Sequence, residues 1–424
     1  MIHINIELNI SRNINTDVLV IGGGTSGVFS AISSAMAGAK TVLVEKNSML
    51  GGTVTVANVN FPGLFFAWGK QIINGPCWEA IERVIKLGGA TMPDITFKPE
   101  KHWYEQIRIN RFIYTAVLCE MCQEVGVNTL LNAMITKIEE TATGIICYIT
   151  EKSGITAIYA KKVVDATGDA NVIQAGGYPI IKSKTQQPAT PQNHISGYNM
   201  ENVSLSEINS FFKKADFPVY ITAEKLISYL RINKIDVHIP CENADTSSGK
   251  TKVEFNSLSL LLKIYKFYRQ IRGLENIYID FIAEETGIRE TNRIVGENII
   301  TAEDYITGIT YKDSICYAFY PIDLHVMSGI EKKYHKENIV AKIPYSALIP
   351  KNSKHILCAG RCISSDTYAN SAIRVQSVCM ATGQVAGCAA ALSAQKDLFV
   401  KDIPYEELCE TLKSINAIIP PVVK

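Results

Sequence analysis

Three glycines and one acid make the clearest chemical pattern in the chain. Gly22, Gly24 and Gly27 form G-x-G-x-x-G, and Glu45 follows about 20 residues on. In such a loop Gly22 permits a tight turn, Gly24 lets backbone approach a pyrophosphate, and Gly27 lets a helix pack closely on a strand. Glu45 is placed to accept from ribose hydroxyls. Thr25 inside the loop and Lys46 beside the acid complete this candidate dinucleotide site, which the motif alone leaves open between FAD and NAD(P). A second group is cationic. On a strand-like segment Arg289 and Arg293 share a face, and two guanidiniums can grip a carboxylate in bidentate fashion. His325 follows an aromatic, proline-containing run and is a candidate proton donor or acceptor. Arg374 lies near the last long helix and is a fourth candidate for contact with substrate or cofactor. Three of these have a structural alternative: ion pairs of Arg289 and Arg293 with Glu284, Glu285, Glu290 or Glu297, and for His325 a buried histidine with no role in chemistry.

The elements around the loop agree with the chemistry. Val18-Leu19-Val20-Ile21 reads as a buried parallel strand, a helix follows through Ala31, Ile32, Ala35 and Met36, and Thr41-Val42-Leu43-Val44 is a second strand ending at Glu45. This βαβ unit aims the helix N-terminus, with its unpaired N–H groups, at a phosphate. Gly51-Gly52-Thr53 suits a loop where backbone and a hydroxyl approach a cofactor. The apolar, aromatic stretch from Asn58 to Lys70 suits either a cover for a flat ring or plain core. Helices are expected over Pro76 to Leu87 and Ile109 to Val125, the latter carrying Cys119 and Cys122 as a C-x-x-C without redox context. From Thr129 to Ala166 short β-rich runs predict a β-meander ending in Ala166-Thr167-Gly168-Asp169, where small residues let the chain pass close to a ligand. Residues 176–340 change texture, with amphipathic helices near Ser206 to Lys214, Ala223 to Asn233 and Ser257 to Arg272, and a strand from Ile277 to Ala283. The last part returns to α/β grammar: a strand at His355 to Gly360, a turn through Arg361 and Asp366, and a small-residue helix from about Ile373 to Ala394. Asp366 either holds a ribityl hydroxyl or caps that helix.

The fold class expected is α/β: a Rossmann-type FAD-binding domain with a β-meander, built from residues 1–175 and 341–424, plus an inserted α+β substrate or cap domain over 176–340. The chain has 424 residues, 47% hydrophobic and 20% charged, with a net charge of +1. That gives no electrostatic footprint for nucleic acid or an anionic membrane. No apolar run reads as long enough to span a bilayer, and residues 1–15 read as a leading strand without the pattern of a signal peptide. The 11 cysteines are scattered and odd in number, so reduced thiols and a cytoplasmic location are expected, with no metal.

Taken together, VIGGGTSG, EK…MLGGT, NFPGLFFAWGKQII, QPAT, VVDATGDA, GIRETNRIVG, FYPIDLH, IPYSALIP and AGRCISSD…ANSAIRVQSVCMATGQVAG resemble the FAD-dependent oxidoreductases related to the heterodisulfide reductase flavoprotein subunit. More distantly they resemble the fumarate reductase and succinate dehydrogenase flavoproteins. The resemblance runs from about Thr16 to Ala394 and implies FAD. It implies that Gly22, Gly24 and Gly27 hold the pyrophosphate and Glu45 the adenosine ribose. Gly51, Gly52 and Thr53 would line the flavin side, Ala166, Thr167 and Gly168 pass the dinucleotide, and Gly360 and Arg361 open the closing turn. The helix after Ala372 would aim its N-terminus at the flavin pyrimidine. Thr367 and Val326 stand where many family members have an arginine and an acidic residue, and no iron–sulfur cysteine run is present.

The expected function is hydride transfer between a small organic substrate, carboxylate-bearing on the two-arginine reading, and the flavin. With one dinucleotide fingerprint and no cysteine from Gly51 to Trp68, a substrate that meets the flavin directly is expected. Two alternatives stand beside it: an electron-transfer flavoprotein component of a heterodisulfide-reductase-like complex, working with a redox partner protein, and a non-redox FAD-binding protein.

Overall fold

A computed structural model describes residues 9–93, 95 and 106–421. Of the segment read as a leading strand, residues 1–8 lie outside the described residues, and Ile10–Ile21 is a single strand. It sits at the centre of a seven-stranded sheet. On one side it pairs in parallel with Thr41–Glu45, which pairs in parallel with Asn128–Leu131. On the other it pairs in parallel with Gly154–Asp165 along almost its whole length. The paired core of the sheet, Val18–Ile21 with Val42–Val44 and Val163–Val164, is apolar and buried, as the inner strands of a parallel sheet demand.

Gly154–Asp165 joins two substructures. Its first part pairs antiparallel with Ile145–Glu151, which pairs antiparallel with Met134–Glu140. Its last three residues, Val163–Asp165, pair in parallel with Ile356–Cys358. The last run of the expected meander, from Gly154 to Asp165, is one strand of 12 residues. Nothing between Ala160 and Lys161 breaks β geometry, because neither glycine nor proline intervenes.

The expected closing helix is Gln376–Lys396, and a separate short helix that was not expected, Thr367–Ile373, precedes it. Val375 turns the backbone to φ −64°, ψ 142° and restarts the helix in a new direction. Gln376–Lys396 packs on Thr25–Met36 at backbone contact. A Cβ on Gly383 would lie 2.3 Å from the Ser26 carbonyl oxygen, and one on Gly387 2.1 Å from that of Ser30. The expectation that no segment has the length and apolarity of a membrane span needs correcting. Gln376–Lys396 meets both tests, with mean hydropathy 1.3, but 94% of that window is buried inside the protein. Its apolarity serves the core.

A second hydrophobic cluster draws only on residues from Ala189 to Ile277. Its spine is Ser247–Tyr268, which begins ten residues before the expected Ser257. The polar opening SSGKTK hides the start, and Thr246 caps it by accepting from the Gly249 N–H. By contrast Ile300, Tyr305, Ile315, Ile322 and Ile343 join the larger core around the first and last helices.

Candidate active site

The glycine loop is built as its spacing requires. Gly22 has φ +102°, and a Cβ there would lie 2.5 Å from the Ala166 carbonyl oxygen, so the first strand and the meander's end meet at backbone distance. A Cβ on Gly27 would lie 1.7 Å from the Gly22 oxygen. A Cβ on Gly24 would meet nothing closer than 3.8 Å, which leaves the loop's outer face open. Gly24 is also the N-cap of Thr25–Met36, and no side chain caps that helix. Its first-turn N–H groups are thus available to an anion. Glu45 is buried, and burial pushes its carboxyl up. Its two oxygens accept from the Gly23 N–H at 2.6 Å and the Asn47 N–H at 2.8 Å. A carboxylate oxygen takes more than one donor, so both retain capacity for hydroxyls. Gly51 bridges to Gly24, and Thr25 Oγ1 donates to the Gly51 oxygen, so the Gly51–Thr53 turn lies against the loop.

The meander's end is held by Asp165, which lies inside VVDATGDA but was not among the expected site residues. Asp165 is fully buried and accepts from Thr167 N and Oγ1 and from the Val172 and Ile173 N–H groups. Arg361 then clamps this turn: Nε donates to the Gly168 oxygen at 2.8 Å, while its other nitrogens reach Asp169 and the Ile288 oxygen.

A polar cluster gathers from four distant segments. Asp323 and His325 alternate on the strand Ile322–Val326 and so share a face. His325 Nε2 lies 2.9 Å from Asp323 Oδ2, and its Nδ1 lies 3.2 Å from His238 Nε2. Burial first, then the charges of Arg289 and Arg374, push the His325 imidazole down to about 4 against the upward pull of Asp323. His238 is likewise pushed down to about 4, by burial and then by Arg289. Burial pushes Asp323 up, but His325 and Arg374 outweigh it and the net direction is downward. The pair is therefore a neutral imidazole on an ionised carboxylate.

Arg289 and Arg374 face the same cluster. Burial first and the charge of Arg374 next lower Arg289, and burial lowers Arg374. Arg289 Nη1 donates to the Pro188 oxygen and to Thr190 Oγ1. Arg374 Nη2 reaches Gln187 Oε1 at 3.4 Å and the Asp323 oxygen at 3.3 Å, both long, and its Nε is buried without a partner. Two like charges, with an open donor on Arg374, form a place for an anion.

Comparison with known proteins gives the family. The model described as "FAD dependent oxidoreductase" matches residues 17–412. The chain belongs to that family. Among curated relatives, this FAD-dependent oxidoreductase is 25% identical over 167 residues to the thiamine thiazole synthase of Methanococcus vannielii, covering 38% of this chain and 59% of that protein. It is 26% identical over 201 residues to the digeranylgeranylglycerophospholipid reductase of the same organism, 46% and 47% of the two chains. A heterodisulfide reductase A-like protein of Archaeoglobus profundus is 46% identical, but over 50 residues, 12% of this chain and 7% of that one. The chain thus spans less than two thirds of the length of these relatives. A solved geranylgeranyl bacteriochlorophyll reductase-like protein from Thermoplasma acidophilum superposes with TM-score 0.44 at 13% identity, over 95% and 84% of the two chains.

The residues of this FAD-dependent oxidoreductase fit FAD. The open face at Gly24, the uncapped helix behind it and the buried Glu45 suit the adenosine diphosphate half. At the other end, Gln376 Oε1 and Ser377 Oγ are buried without partners in the first turn of Gln376–Lys396, which no side chain caps. Asn370 Oδ1 is similarly buried and unpartnered nearby in the chain.

Other expected site residues have different partners. Asp366 caps Thr367–Ile373 by accepting from the Ala369 N–H, and its second oxygen accepts from the Ala302 N–H, both at 2.7 Å. Lys46 pairs with Glu285 at 2.7 Å, and Thr53 is exposed. Gly360 has φ +82°, and a Cβ there would strike Ser26 Oγ at 2.4 Å. The expected shared face of Arg289 and Arg293 is not formed, because only Asn292–Ile294 is strand. Arg293 is fully buried and donates to the Ser365 oxygen and to Ser183 Oγ, with Glu290 at 3.5 Å. Thr367, where many relatives have arginine, takes a contact from Arg293 at 3.3 Å. The C-x-x-C cysteines lie on Arg111–Glu124, and burial pushes the Cys122 thiol up to about 12. Asp323 and Gln187 sit inside motifs already noted, and the two-residue spacing of Asp323 and His325 could have revealed their pairing. His238 carried no such signal.

Proposed function

We propose that this FAD-dependent oxidoreductase transfers a hydride between a small carboxylate-bearing substrate and its flavin. The observation that carries the reading is the facing pair Arg289 and Arg374, with a buried, unpartnered Nε on Arg374. A substrate carboxylate would satisfy those donors and relieve the repulsion between the two guanidiniums. When bound, FAD supplies the two-electron chemistry. The chain's part is to orient the substrate through the arginines, hold a neutral imidazole beside it, and keep Asp323 ionised behind that imidazole. Gly22, Gly24, Thr25, Gly27, Glu45 and the turns at Gly51–Thr53 and Ala166–Gly168 would hold the cofactor, with Gly360 and Arg361 closing the site. Arg361 serves this by fixing the Gly168 turn.

The proposed domain division keeps residues 1–175 and 341–424 as the cofactor part and 176–340 as the insertion. The separate cluster from Ala189 to Ile277 supports an independently packed insertion, and its compact part ends before Ile300. The reduced cysteines, all eleven unpaired, support a cytoplasmic location.

The deciding experiment is anaerobic screening of a metabolite panel for bleaching of bound FAD. Carboxylates should bleach it and their esters should not. A panel in which only uncharged compounds reduce the flavin would defeat the reading. The 50-residue similarity to the heterodisulfide reductase A-like protein favours a second one, an electron-transfer component of a larger complex. That reading expects no bleaching by any metabolite and capture of an iron–sulfur partner.

A further inference from the structure

We propose that the substrate site does not end at Arg289 and Arg374 but runs along a polar strand pair to a second cationic end at Lys234 and Arg108, so that the enzyme takes an elongated diacid. The inference rests on the carboxylate reading above and extends it. Two segments of the insertion build the strand pair. Asn193 and His194 pair antiparallel with Ile235 and Lys234. Ala189 bridges antiparallel to Ile239, the two exchanging both backbone bonds at 2.8 Å. The register is the same at both ends, and Pro191, which has no N–H, accounts for the gap between them. Side chains alternate in direction along such a pair. Ile235, Val237 and Ile239 face the insertion's own core. Thr190, Gln192 and His194 therefore lie opposite His238, Asp236 and Lys234 on the other face.

That polar face spans the candidate site. At one end Thr190 Oγ1 accepts from Arg289 at 2.8 Å, and His238 meets His325 at 3.2 Å. At the other end His194 Nε2 lies 3.2 Å from Asn58 Nδ2. There the Phe61 ring has Lys234 at 5.5 Å and Arg108 at 4.9 Å from its centre. Asn58 and Phe61 follow the Gly51–Thr53 turn, and their stretch reaches the first turn of Gln376–Lys396. The Val59 oxygen accepts from Gln376 Nε2 at 2.7 Å and the Pro62 oxygen from the Ser377 N–H at 2.6 Å. Both ends of the face thus adjoin the cofactor part. His238 and Lys234 are separated by roughly 13 Å of extended chain. Arg111, also near this end, is held by Glu284 and the Thr55 oxygen. Lys234 is 6% exposed, yet among the described residues its ammonium has no hydrogen-bond acceptor and no ion pair, only the Phe61 ring. Asp236, two residues on along the same face, attracts it without pairing with it. A buried cation so placed calls for an anion. Arg108, exposed on the same ring, is the second donor there. Between the two ends Gln192 is buried with Oε1 unpartnered, opposite Asp236. The ends offer donors and the middle offers acceptors. That pattern fits a molecule with an acid at each end and a hydroxyl or amine between them.

The test measures binding to the FAD-loaded enzyme and needs no turnover. Straight-chain α,ω-dicarboxylates from malonate to dodecanedioate, and the monocarboxylates of equal length, are titrated by calorimetry and by the absorption spectrum of the bound flavin. A dicarboxylate long enough to span the face should bind roughly ten- to a hundredfold more tightly than its monocarboxylate. Malonate and succinate, too short to reach both ends, should show no such advantage. Lys234→Met keeps the apolar stem, removes the charge and should abolish the advantage of the long dicarboxylate. Arg108→Met alters an exposed side chain and should diminish it, so the advantage is still tested where Lys234→Met fails to fold. Arg289→Lys should weaken mono- and dicarboxylates alike. Long dicarboxylates that bind no better than monocarboxylates would overturn the proposal and leave the single-carboxylate reading in place. An advantage unchanged in the folded Lys234 and Arg108 variants would do the same. Failure of every carboxylate to bind would defeat the carboxylate reading itself, and the proposal with it.

Discussion

Arg289 and Arg374 set the first prediction at the scale of single residues. Arg289→Lys keeps a charge but loses the planar fork. Half-saturation for a bleaching carboxylate should rise roughly ten- to hundredfold, the equivalent of about 1.5–3 kcal/mol for a charge-assisted hydrogen bond. Flavin content should stay at the wild-type level, because Arg289 touches the Pro188 oxygen and Thr190 and no part of the glycine loop. An unchanged half-saturation would remove Arg289 from the site. The histidines set a second prediction. His238 and His325 titrate near 6.5 in an unfolded chain and near 4 in the folded one. As pH falls, the unfolded chain binds protons first. The stability these two residues permit is complete above about 6.5 and declines until about 4. The double variant His238→Gln/His325→Gln should therefore show a flatter Tm across that window than the wild type, read by thermal melts at stepped pH.

At the scale of elements, the contact between Thr25–Met36 and Gln376–Lys396 places the phosphate-binding N-terminus. Gly387→Ala would put a Cβ 2.1 Å from the Ser30 oxygen and force the helices apart. The expected cost is about 1–3 kcal/mol in urea unfolding, with weaker FAD retention on gel filtration. A variant as stable as wild type would show that the helices can move without consequence. Asp366 tests cap against cofactor contact. Asp366→Ala loses acceptors for the Ala369 and Ala302 N–H groups and should cost about 1 kcal/mol while FAD content is kept. Loss of FAD out of proportion to stability would return Asp366 to the cofactor site.

At the scale of the whole molecule, the FAD site draws on both ends of the chain, so cofactor and fold are linked. FAD at a hundredfold over its Kd should stabilise the protein by about 2.7 kcal/mol, visible as a rise in Tm. Arg361→Met should diminish that rise, because Arg361 ties the Gly168 turn to Ile288 and to the strand Ile356–Cys358 beyond it. A Tm rise equal to that of wild type would show that the clamp does not couple the two.

Local order along the chain was enough to determine the glycine loop, its strands and helix, Glu45, and the meander's end. Each depends on neighbours within a few tens of residues, where propensity, period and glycine geometry act. The long strand Gly154–Asp165 and the closing helix Gln376–Lys396 were legible, whereas the short helix Thr367–Ile373 was not, because a single extended residue at Val375 divides it from the longer one. The substrate site was legible least. Arg289 and Arg293 look equivalent in sequence, and only packing turned Arg293 toward Ser183 and Ser365 and left Arg289 opposite Arg374. Asp323 was within reach of a period-two reading, whereas His238 was not. Hydrogen bonds between residues far apart in the chain, and burial that removes their charge, exist only once the segments are brought together, so tertiary structure alone decided that His238 meets His325.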